Sequence, residues 1–259
     1  MRLLLLFSLA FALIAAPASA RTTKPTIVLV HGAFADASGW NAVTGQLQDD
    51  GYKVLAPPNP LRGVSADAAY MRSFLAQVKG PIVLVGHSYG GMVITNAATG
   101  NANVKALVYI AAFAPGQGDT VAGLSAMAPG ALLGPATLDI FNYPLPDGTV
   151  GQEGSIKPSA FREVFAADLP KKLTAVMAVS QRPASLVALG EPSGPPAWAS
   201  IPSYYMVASK DNAIGAENER IMAKRIKAKT VEIKGASHVV FISHPKETTE
   251  LILRAAKGR

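Results

Sequence analysis

The side chain best suited to covalent chemistry in this sequence is Ser88, at the centre of a Gly-x-Ser-x-Gly pentapeptide. The apolar run at residues 81–85 precedes the pentapeptide, and residues 91–98 follow it with a pattern that is typical of a helix. A strand, a sharp turn with serine at its apex and a helix form a nucleophile elbow, which needs small neighbours such as Gly86 and Gly90. The sequence therefore predicts a nucleophilic serine. The alternative is a glycine-rich turn that cradles a phosphate.

A serine hydroxyl becomes a good nucleophile only when a neighbouring base takes its proton. The sequence offers four histidines for this task. Three of them are less suited to it, because His31 and His87 lie in glycine motifs at strand ends and His244 precedes a proline where the last helix begins. His238 follows the last predicted strand, in a loop that can reach the elbow. We therefore predict that His238 is the general base, and the alternative is a histidine in a surface loop.

A carboxylate must hold the imidazole in the correct tautomer and stabilise its protonated form. Asp211 follows a predicted strand that ends at Ala208, and it stands between the serine and the histidine in chain order. This is the order that the elbow motif requires. Asp119, after the preceding strand, is the second candidate, and Glu217 is a weaker one because it falls in the next predicted helix. The sequence therefore favours Asp211 as the acid.

The negative oxygen that forms during acyl transfer needs two preorganised N–H donors. One is predicted to be the backbone N–H of Tyr89, which follows the serine. The other is predicted to be the backbone N–H of Ala33, because Gly32 allows a tight bend in the loop after the first strand. The alternative for this loop is a turn that only supports its surroundings. Phe34 and Tyr89 flank the two donors and are predicted to form walls of the substrate pocket.

Two hydrophobic periods alternate along the chain, one typical of strands and one typical of helices. Strands are predicted at residues 26–30, 52–56, 81–85, 104–113, 203–208 and 230–233. Helices are predicted at residues 38–50, 65–78, 217–226 and 245–256. Strands that are separated by helices form parallel sheets with right-handed crossovers. The predicted fold class is therefore α/β, with a mostly parallel sheet of about six strands, helices on both faces and an inserted helical lid.

The segment at residues 115–202 interrupts this alternation and contains most of the prolines. Its clearest helices are predicted at residues 159–169 and 170–180, and no strong strand is predicted in it. We predict that the segment is a lid over the carboxyl edge of the sheet, where open α/β sheets bind ligands. The two parts of the core are then residues 21–114 and 203–259.

Apolar and aromatic side chains of the lid are candidates for the wall of the substrate pocket. We single out Trp198, which is predicted to line the pocket together with Phe34. The remaining candidates are Phe141, Phe161, Phe165 and Met177. For each lid residue, the alternative is a place in the core of the lid.

The start of the chain has the three parts of a secretory signal peptide. Residues 1–2 provide a positive charge, residues 3–16 are almost wholly apolar, and residues 18–20 match an A-x-A cleavage site. We predict a signal peptide at residues 1–20, cleavage before Arg21 and export to the periplasm or the medium, with a membrane anchor as the alternative. No later segment has 18 consecutive apolar residues, which predicts no integral membrane segment in the mature chain.

The composition narrows the classes of partner and cofactor. Apolar residues make up 49% of the chain and charged residues 16%, which argues against disorder. The sequence has no cysteine and therefore neither a cysteine nucleophile nor a thiolate metal ligand. The net charge is +7, but the basic residues at 224–229 are interleaved with apolar ones and no aromatic residues are mixed among them. We predict a small-molecule substrate, no nucleic-acid partner, no metal and no cofactor; the sequence sets no oligomeric state.

The motifs at residues 31–34, 86–91 and 237–238, with Trp40 and Asp211, resemble those of the α/β-hydrolase superfamily. Within the superfamily, the chain resembles the compact branch that holds plant methylesterases, hydroxynitrile lyases and bacterial carboxylesterases of the pyrethroid type. The resemblance covers nearly all of the chain after the predicted signal peptide. It implies a triad of serine, aspartate and histidine at the positions named above, and no cofactor.

This chain departs from the lyases of that branch at two positions, and both departures favour hydrolysis over lyase chemistry. Its lyases typically place a threonine after the first-strand histidine and a lysine after the catalytic histidine, whereas this chain has Gly32 and Val239. Dehalogenase relatives use aspartate at the elbow, and Ser88 excludes them. We therefore predict a carboxylesterase-type serine hydrolase that cleaves esters of small, mostly apolar substrates through an acyl-enzyme intermediate. The alternatives are perhydrolysis or amide hydrolysis at the same triad, and an exported binding protein of the same fold without catalysis.

Overall fold

Two β-sheets and ten α-helices make up the computed structural model, which describes residues 23–259. The strands are β1 (Thr26–Val30), β2 (Val54–Leu55), β3 (Ile82–Ser88), β4 (Val104–Ala112), β5 (Leu138–Pro144), β6 (Val150–Ile156), β7 (Ala184–Ser185), β8 (Ser203–Ala208) and β9 (Lys229–Ile233). The predicted signal peptide and its cleavage site lie outside the described residues.

The larger sheet has six strands in the order β2-β1-β3-β4-β8-β9, and each neighbouring pair is parallel. All five residues of β1 and all seven of β3 are buried. A strand that is covered on both faces is apolar throughout, which explains the continuous apolar runs in the sequence. The predicted mostly parallel sheet of about six strands is therefore confirmed.

The helices are α1 (Asn41–Asp49), α2 (Val64–Ala76), α3 (Gly90–Ala97), α4 (Val121–Ser125), α5 (Pro158–Phe165), α6 (Lys171–Ser180), α7 (Val187–Gly190), α8 (Ala216–Arg225), α9 (Val240–Ser243) and α10 (Pro245–Ala256). Helices α3 and α10 both pack on β3 and β4. Helix α2 packs against α3, and α1 packs against α10. The two helix pairs thus cover the central strands of the sheet. In the part of the chain from residue 23 onward, no helix has both the length and the apolar character that a membrane span needs.

The segment between β4 and β8 contains a second sheet as well as helices. Strands β5 and β6 form an antiparallel hairpin, and β7 pairs with β6. The prediction of a helical lid without strong strands is wrong in this respect. The hairpin escapes the sequence pattern because β5 and β6 are mostly exposed or half-buried and lack a clear apolar alternation. The Asp147-Gly148 turn between the two strands is the sequence signal that could have identified it.

Candidate active site

Ser88 lies at a strained turn between a strand and a helix. Strand β3 ends at this residue, α3 begins two residues later at Gly90, and the φ angle of Ser88 is +53°. Few residues with a side chain adopt a positive φ, so the surrounding packing must hold this conformation. A Cβ atom at Gly86 would lie 2.7 Å from the carbonyl oxygen of Gly90, and one at Gly90 would lie 2.6 Å from that of Val30. Both positions therefore require glycine.

His238 and Asp211 form a buried pair in the loops that follow β9 and β8. The distance between His238 Nδ1 and Asp211 Oδ2 is 2.5 Å. The other carboxylate oxygen, Oδ1, accepts hydrogen bonds from the backbone N–H groups of Ala213 (2.7 Å) and Ile214 (2.8 Å). Because the carboxylate can only accept, His238 Nδ1 carries a proton in this pair. The arrangement leaves His238 Nε2 as the nitrogen that can accept a further proton.

The pKa of Asp211 is lowered although the side chain is buried. Burial acts to raise this pKa, but the neighbouring His238, its hydrogen bond, a hydrogen bond with Glu219 and the N–H of Ile214 outweigh burial. The lowered pKa keeps Asp211 ionised over the whole neutral range. An ionised carboxylate at this position accepts the hydrogen bond from His238 Nδ1.

The nitrogen His238 Nε2 is buried and has no hydrogen-bond partner among the residues from 23 to 259. The imidazole packs against the ring of Phe165 at 4.9 Å and against that of His87 at 4.6 Å, measured between ring centroids. Catalytic hydrogen bonds are often long in the absence of substrate, so the unpartnered nitrogen agrees with a base that engages during the reaction.

His87 ties the loop of His238 to the elbow, a role that the sequence analysis did not assign. Its Nε2 lies 3.1 Å from the carbonyl oxygen of His238 and must carry a proton to donate to it. Burial, followed by the proximity of His238, lowers the pKa of His87 well below its usual range. His87 is therefore a neutral donor that directly precedes Ser88 in the chain. The sequence signal for this role is the position of His87 between the first glycine and the serine of the pentapeptide.

The loop after β1 is held by His31, whose ring makes two hydrogen bonds. Its Nδ1 lies 2.9 Å from the carbonyl oxygen of Gly32, and its Nε2 accepts from the N–H of Asn59 at 3.0 Å. The N–H and the C=O of a planar trans peptide point in opposite directions. Since the Gly32 carbonyl points at His31, the Ala33 N–H of the same peptide points away from it.

The backbone N–H groups of Ala33 and Tyr89 both remain available for a ligand. Neither donates to an acceptor in the described chain, whereas the next N–H, that of Phe34, donates to the carbonyl of Arg182 at 3.1 Å. A Cβ atom at Gly32 would lie 2.7 Å from Ser88 Cβ, so the loop runs directly against the serine. Two backbone N–H groups without an acceptor in the described chain thus belong to segments that meet at the serine.

The two other acids that the sequence offered lie in ion pairs away from His238. Asp119 pairs with Arg225 at 2.7 Å and accepts from the N–H of Gly116. Glu217 is more than half exposed and pairs with Arg220 at 3.0 Å. The structure therefore brings Asp211 to the histidine, and it brings neither alternative there.

An inner cavity of about 30 Å³ lies beside the serine. Its walls are Ala33, Phe34, Ser88, Tyr89, Phe113, Val121, Leu133, Leu138, Gly154, Ala184, Ser185, Leu186, Ala188 and Leu189. The ring of Tyr89 is held in this wall because its hydroxyl donates to the buried carboxylate of Asp67 at 2.8 Å. The cavity is thus apolar and combines core residues with residues of the inserted segment.

A second cavity, the outer one, has a volume of about 270 Å³ and also has Phe34 in its wall. Its walls are Phe34, Ala35, Asp36, Ser38, Gly39, Asn41, Ala42, Phe165, Leu173, Met177, Ser180, Gln181, Val239, Phe241 and Ile242. Phe34 lines both cavities, its φ angle is +60°, and its ring meets that of Phe165 edge-on at 6.4 Å. Phe34 is therefore the one residue that the walls of these two cavities share.

The remaining pocket candidates lie elsewhere. Trp198 lines neither cavity, because its indole Nε1 donates to the carbonyl of Pro115 at 2.6 Å. Phe161 is buried in the inserted segment, and Phe141 is half-exposed on β5. Of the lid residues predicted for the pocket, Phe165 and Met177 line a cavity. The expectation for Trp198 is thus corrected to a residue that joins the end of the inserted segment to its beginning at Pro115.

One cluster has the residue types of a metal site. Asp211, Glu219 and His238 are all buried, and one ligand atom from each lies within 4.8 Å of the others. Hydrogen bonds already occupy most of these atoms, since Asp211 has three N–H donors and Glu219 Oε2 accepts from the N–H of Ala208 at 3.0 Å. The prediction that no metal or cofactor takes part stays a prediction.

The chain belongs to the Alpha/beta hydrolase family, because the model of that family matches residues 27–251. The relatives that it matches carry the names of esterases and hydrolases. A pyrethroid hydrolase of Sphingobium wenxiniae is 28% identical over 244 residues, which span 89% of this chain and 87% of that protein. A carbendazim hydrolyzing esterase of Nocardioides sp. is 36% identical over 110 residues, which span 38% of this chain and 46% of that protein.

Solved structures show the same fold. The crystal structure of a pyrethroid hydrolase from Sphingobium faniae JZ-2 superposes with a TM-score of 0.72 at 25% identity, over 91% of this chain and 98% of that one. The predicted α/β-hydrolase fold and the predicted likeness to bacterial esterases of the pyrethroid type are therefore confirmed. The chain stands among the esterase-type members of its family.

Proposed function

We propose that the protein hydrolyses carboxylic esters by forming an acyl intermediate on Ser88. The observation that carries the proposal is the buried pair of His238 and Asp211, whose free Nε2 belongs to a loop tied to the nucleophile elbow. Family membership and relatives that are named esterase or hydrolase support the same reaction class.

The reaction begins when Ser88 Oγ forms a bond to the ester carbonyl carbon and its proton passes to His238 Nε2. The carbonyl oxygen becomes an oxyanion, which the N–H groups of Ala33 and Tyr89 stabilise. The carbon–oxygen bond to the alcohol then breaks, and the leaving oxygen takes the proton from His238. A water molecule then takes the place of the serine hydroxyl as nucleophile. It gives a proton to His238 and attacks the acyl carbon. The acid leaves, and the proton returns to Ser88.

Asp211 supports these steps through its charge and its position. The imidazole becomes positively charged twice in each cycle, and the adjacent carboxylate stabilises that charge. The two backbone N–H bonds to Oδ1 fix the carboxylate, and the 2.5 Å contact fixes the ring tautomer. A preorganised pair of this kind needs little rearrangement when the proton arrives.

The cavities support small, mostly apolar esters as substrates. The inner cavity beside Ser88 has room for only a few atoms, and its walls are almost entirely apolar. The outer cavity is larger and is also walled mainly by apolar side chains, among them Phe165 and Phe241. Ligand sites in proteins are typically apolar with a few polar groups that orient the reacting bond. The two N–H donors and the triad are those polar groups.

Labelling with a fluorophosphonate tests the proposal directly. The purified protein is expected to gain one adduct by intact mass, and Ser88→Ala is expected to gain none and to lose ester turnover. Ser73→Ala, at an exposed serine of α2, is the control, and labelling at Ser88 should persist in it. A well-folded wild-type protein that takes up no label, or a Ser88→Ala variant with undiminished turnover, would contradict the proposal.

We also propose that the mature protein is exported. The charged start, the apolar stretch and the A-x-A site at residues 18–20 support cleavage before Arg21. Expression of the full chain in a bacterial host, followed by N-terminal sequencing of the protein from each compartment, tests this. An intact start at Met1 in the cytoplasmic fraction would contradict export.

A further inference from the structure

A second buried carboxyl group, that of Glu219 on α8, lies against Asp211. The side chain of Glu219 is fully buried, and that of Asp211 is too. One oxygen of each carboxyl group and a ring nitrogen of His238 all lie within 4.8 Å of one another. Two ionised carboxylates that are buried this close repel each other and can only accept hydrogen bonds, so a proton on one of them stabilises the pair.

The partners of each carboxyl group decide which of the two carries the proton. Asp211 accepts from two backbone N–H groups and from His238, and all three bonds favour its ionised form. Glu219 accepts only one such bond, to Oε2 from the N–H of Ala208 at 3.0 Å. Its other oxygen, Oε1, is buried and has no donor within the described part of the chain. The group with fewer donors holds the proton more tightly.

The surroundings of Glu219 do not favour its ionised form. The neighbouring Arg220 points to the surface, where it pairs with Glu217 and Glu232. On the sheet side, Tyr205 of β8 is buried and its hydroxyl donates to the carbonyl of Ala112. Across residues 23–259, the salt bridges include none that involves Glu219. Burial, followed by the charge of Asp211, raises the pKa of Glu219 well above its usual range.

We propose that Glu219 is a neutral carboxylic acid that donates a hydrogen bond to Asp211 and thereby positions the aspartate for His238. Glu219 is a positioning residue, and the proposal rests on the roles proposed above for the aspartate and the histidine. A protonated group fixes Asp211 without adding a second negative charge. A second charge would hold the imidazole in its protonated form and remove the base that Ser88 needs.

Two substitutions separate the hydrogen bond from the charge. Glu219→Gln keeps the shape, an oxygen that accepts from Ala208 and a donor toward Asp211, whereas Glu219→Met keeps only the approximate size. We expect Glu219→Met to lower kcat for an ester by about tenfold or more, since it removes a hydrogen bond to a buried charge. We expect Glu219→Gln to restore kcat to within about twofold of wild type. Glu217→Gln, on the exposed side of the same helix, is the matched control.

The acid limb of the pH profile for kcat/KM distinguishes the neutral form of Glu219 from the ionised one. If Glu219 is neutral, Glu219→Gln removes no charge and the limb stays where it is in wild type. If Glu219 is ionised, the substitution removes a negative charge beside the imidazole and the limb moves to lower pH. Such a shift would overturn the proposal, and so would a folded Glu219→Met variant with wild-type kcat.

A spectroscopic readout keeps this test separate from the proposed esterase function. The infrared difference spectrum of wild type minus Glu219→Gln at neutral pH is expected to contain the carbonyl stretch of a protonated carboxylic acid. A carboxylate band in its place would overturn the neutral form. The measurement needs no substrate, so it stands even if Ser88 takes up no fluorophosphonate.

Discussion

The core and the inserted segment of this protein organise their residues in different ways. The core is a parallel sheet whose central strands are buried on both faces, and Ser88, Asp211 and His238 all lie at or beyond the ends of its strands. The inserted segment pairs its strands antiparallel and exposes apolar side chains such as Val150 and Val179. The core therefore carries the three side chains for which we propose a role in catalysis. The inserted segment shapes the space around them.

The strongest test of this division is Asp211→Asn in the core. The amide leaves the shape of the pair but cannot favour the same tautomer of His238, so we expect kcat to fall on the order of 10³- to 10⁴-fold. Asp119→Asn, which alters a carboxylate in the inserted segment, is the control and should leave kcat within about twofold of wild type. Steady-state kinetics with a short aryl ester measures both. Equal effects of the two substitutions would refute the assignment of the acid.

Glycine substitutions compare the packing of the two regions. Gly90→Ala places a Cβ atom 2.6 Å from the carbonyl oxygen of Val30, so we expect a loss of about 1–3 kcal/mol in the free energy of unfolding. Gly134→Ala in the inserted segment meets no atom within 4 Å and should change that free energy by less than about 1 kcal/mol. Urea unfolding measures both. The contrast between the regions is lost if Gly90→Ala proves as stable as wild type.

Phe34 offers a way to sharpen the comparison at the boundary between the two cavities. Phe34→Ala removes a large side chain that lines both cavities, so we expect the ratio of kcat/KM for a bulky acyl ester over an acetate to rise about tenfold. A ratio measured on one sample does not depend on the fraction of folded enzyme. Phe141→Ala, at a half-exposed phenylalanine of β5, should leave the ratio unchanged. An unchanged ratio in Phe34→Ala would show that this ring separates no substrate sites.

The smallest expected effects are opposite responses of stability to pH. Burial raises the pKa of Glu219 above its ordinary value of 4.5. Its contribution to the free energy of unfolding is therefore full below pH 4.5 and is lost as the pH rises toward the pKa of the folded state. The pKa of the exposed Asp147 is lowered from 3.8 by the Thr149 hydroxyl, so its contribution is lost as the pH falls below 3.8. In thermal unfolding measured across pH, Glu219→Gln should flatten the alkaline side of the stability profile. Asp147→Asn should flatten its acid side. The same pH response in both variants would contradict these assignments.

The parallel sheet could be predicted from sequence because its strands carry their own signal. Strands such as β1 and β3 are buried on both faces and are therefore apolar throughout, and helices with a different period separate them. The second sheet could not be predicted in this way, since β5 and β6 are largely exposed and their side chains follow no apolar pattern. Their pairing depends on a turn and on contacts between distant residues.

By itself, the sequence determined which residues could do chemistry and in which order they follow the strands. The elbow motif, the aspartate after one strand and the histidine after the next are local features, and parallel strands bring their carboxyl ends to one edge. Only the tertiary structure decided which acid meets His238, that Phe34 lines two cavities and that Trp198 lines neither of them. It alone placed Glu219 against Asp211, because a contact between two buried carboxyl groups depends on packing that no local pattern encodes.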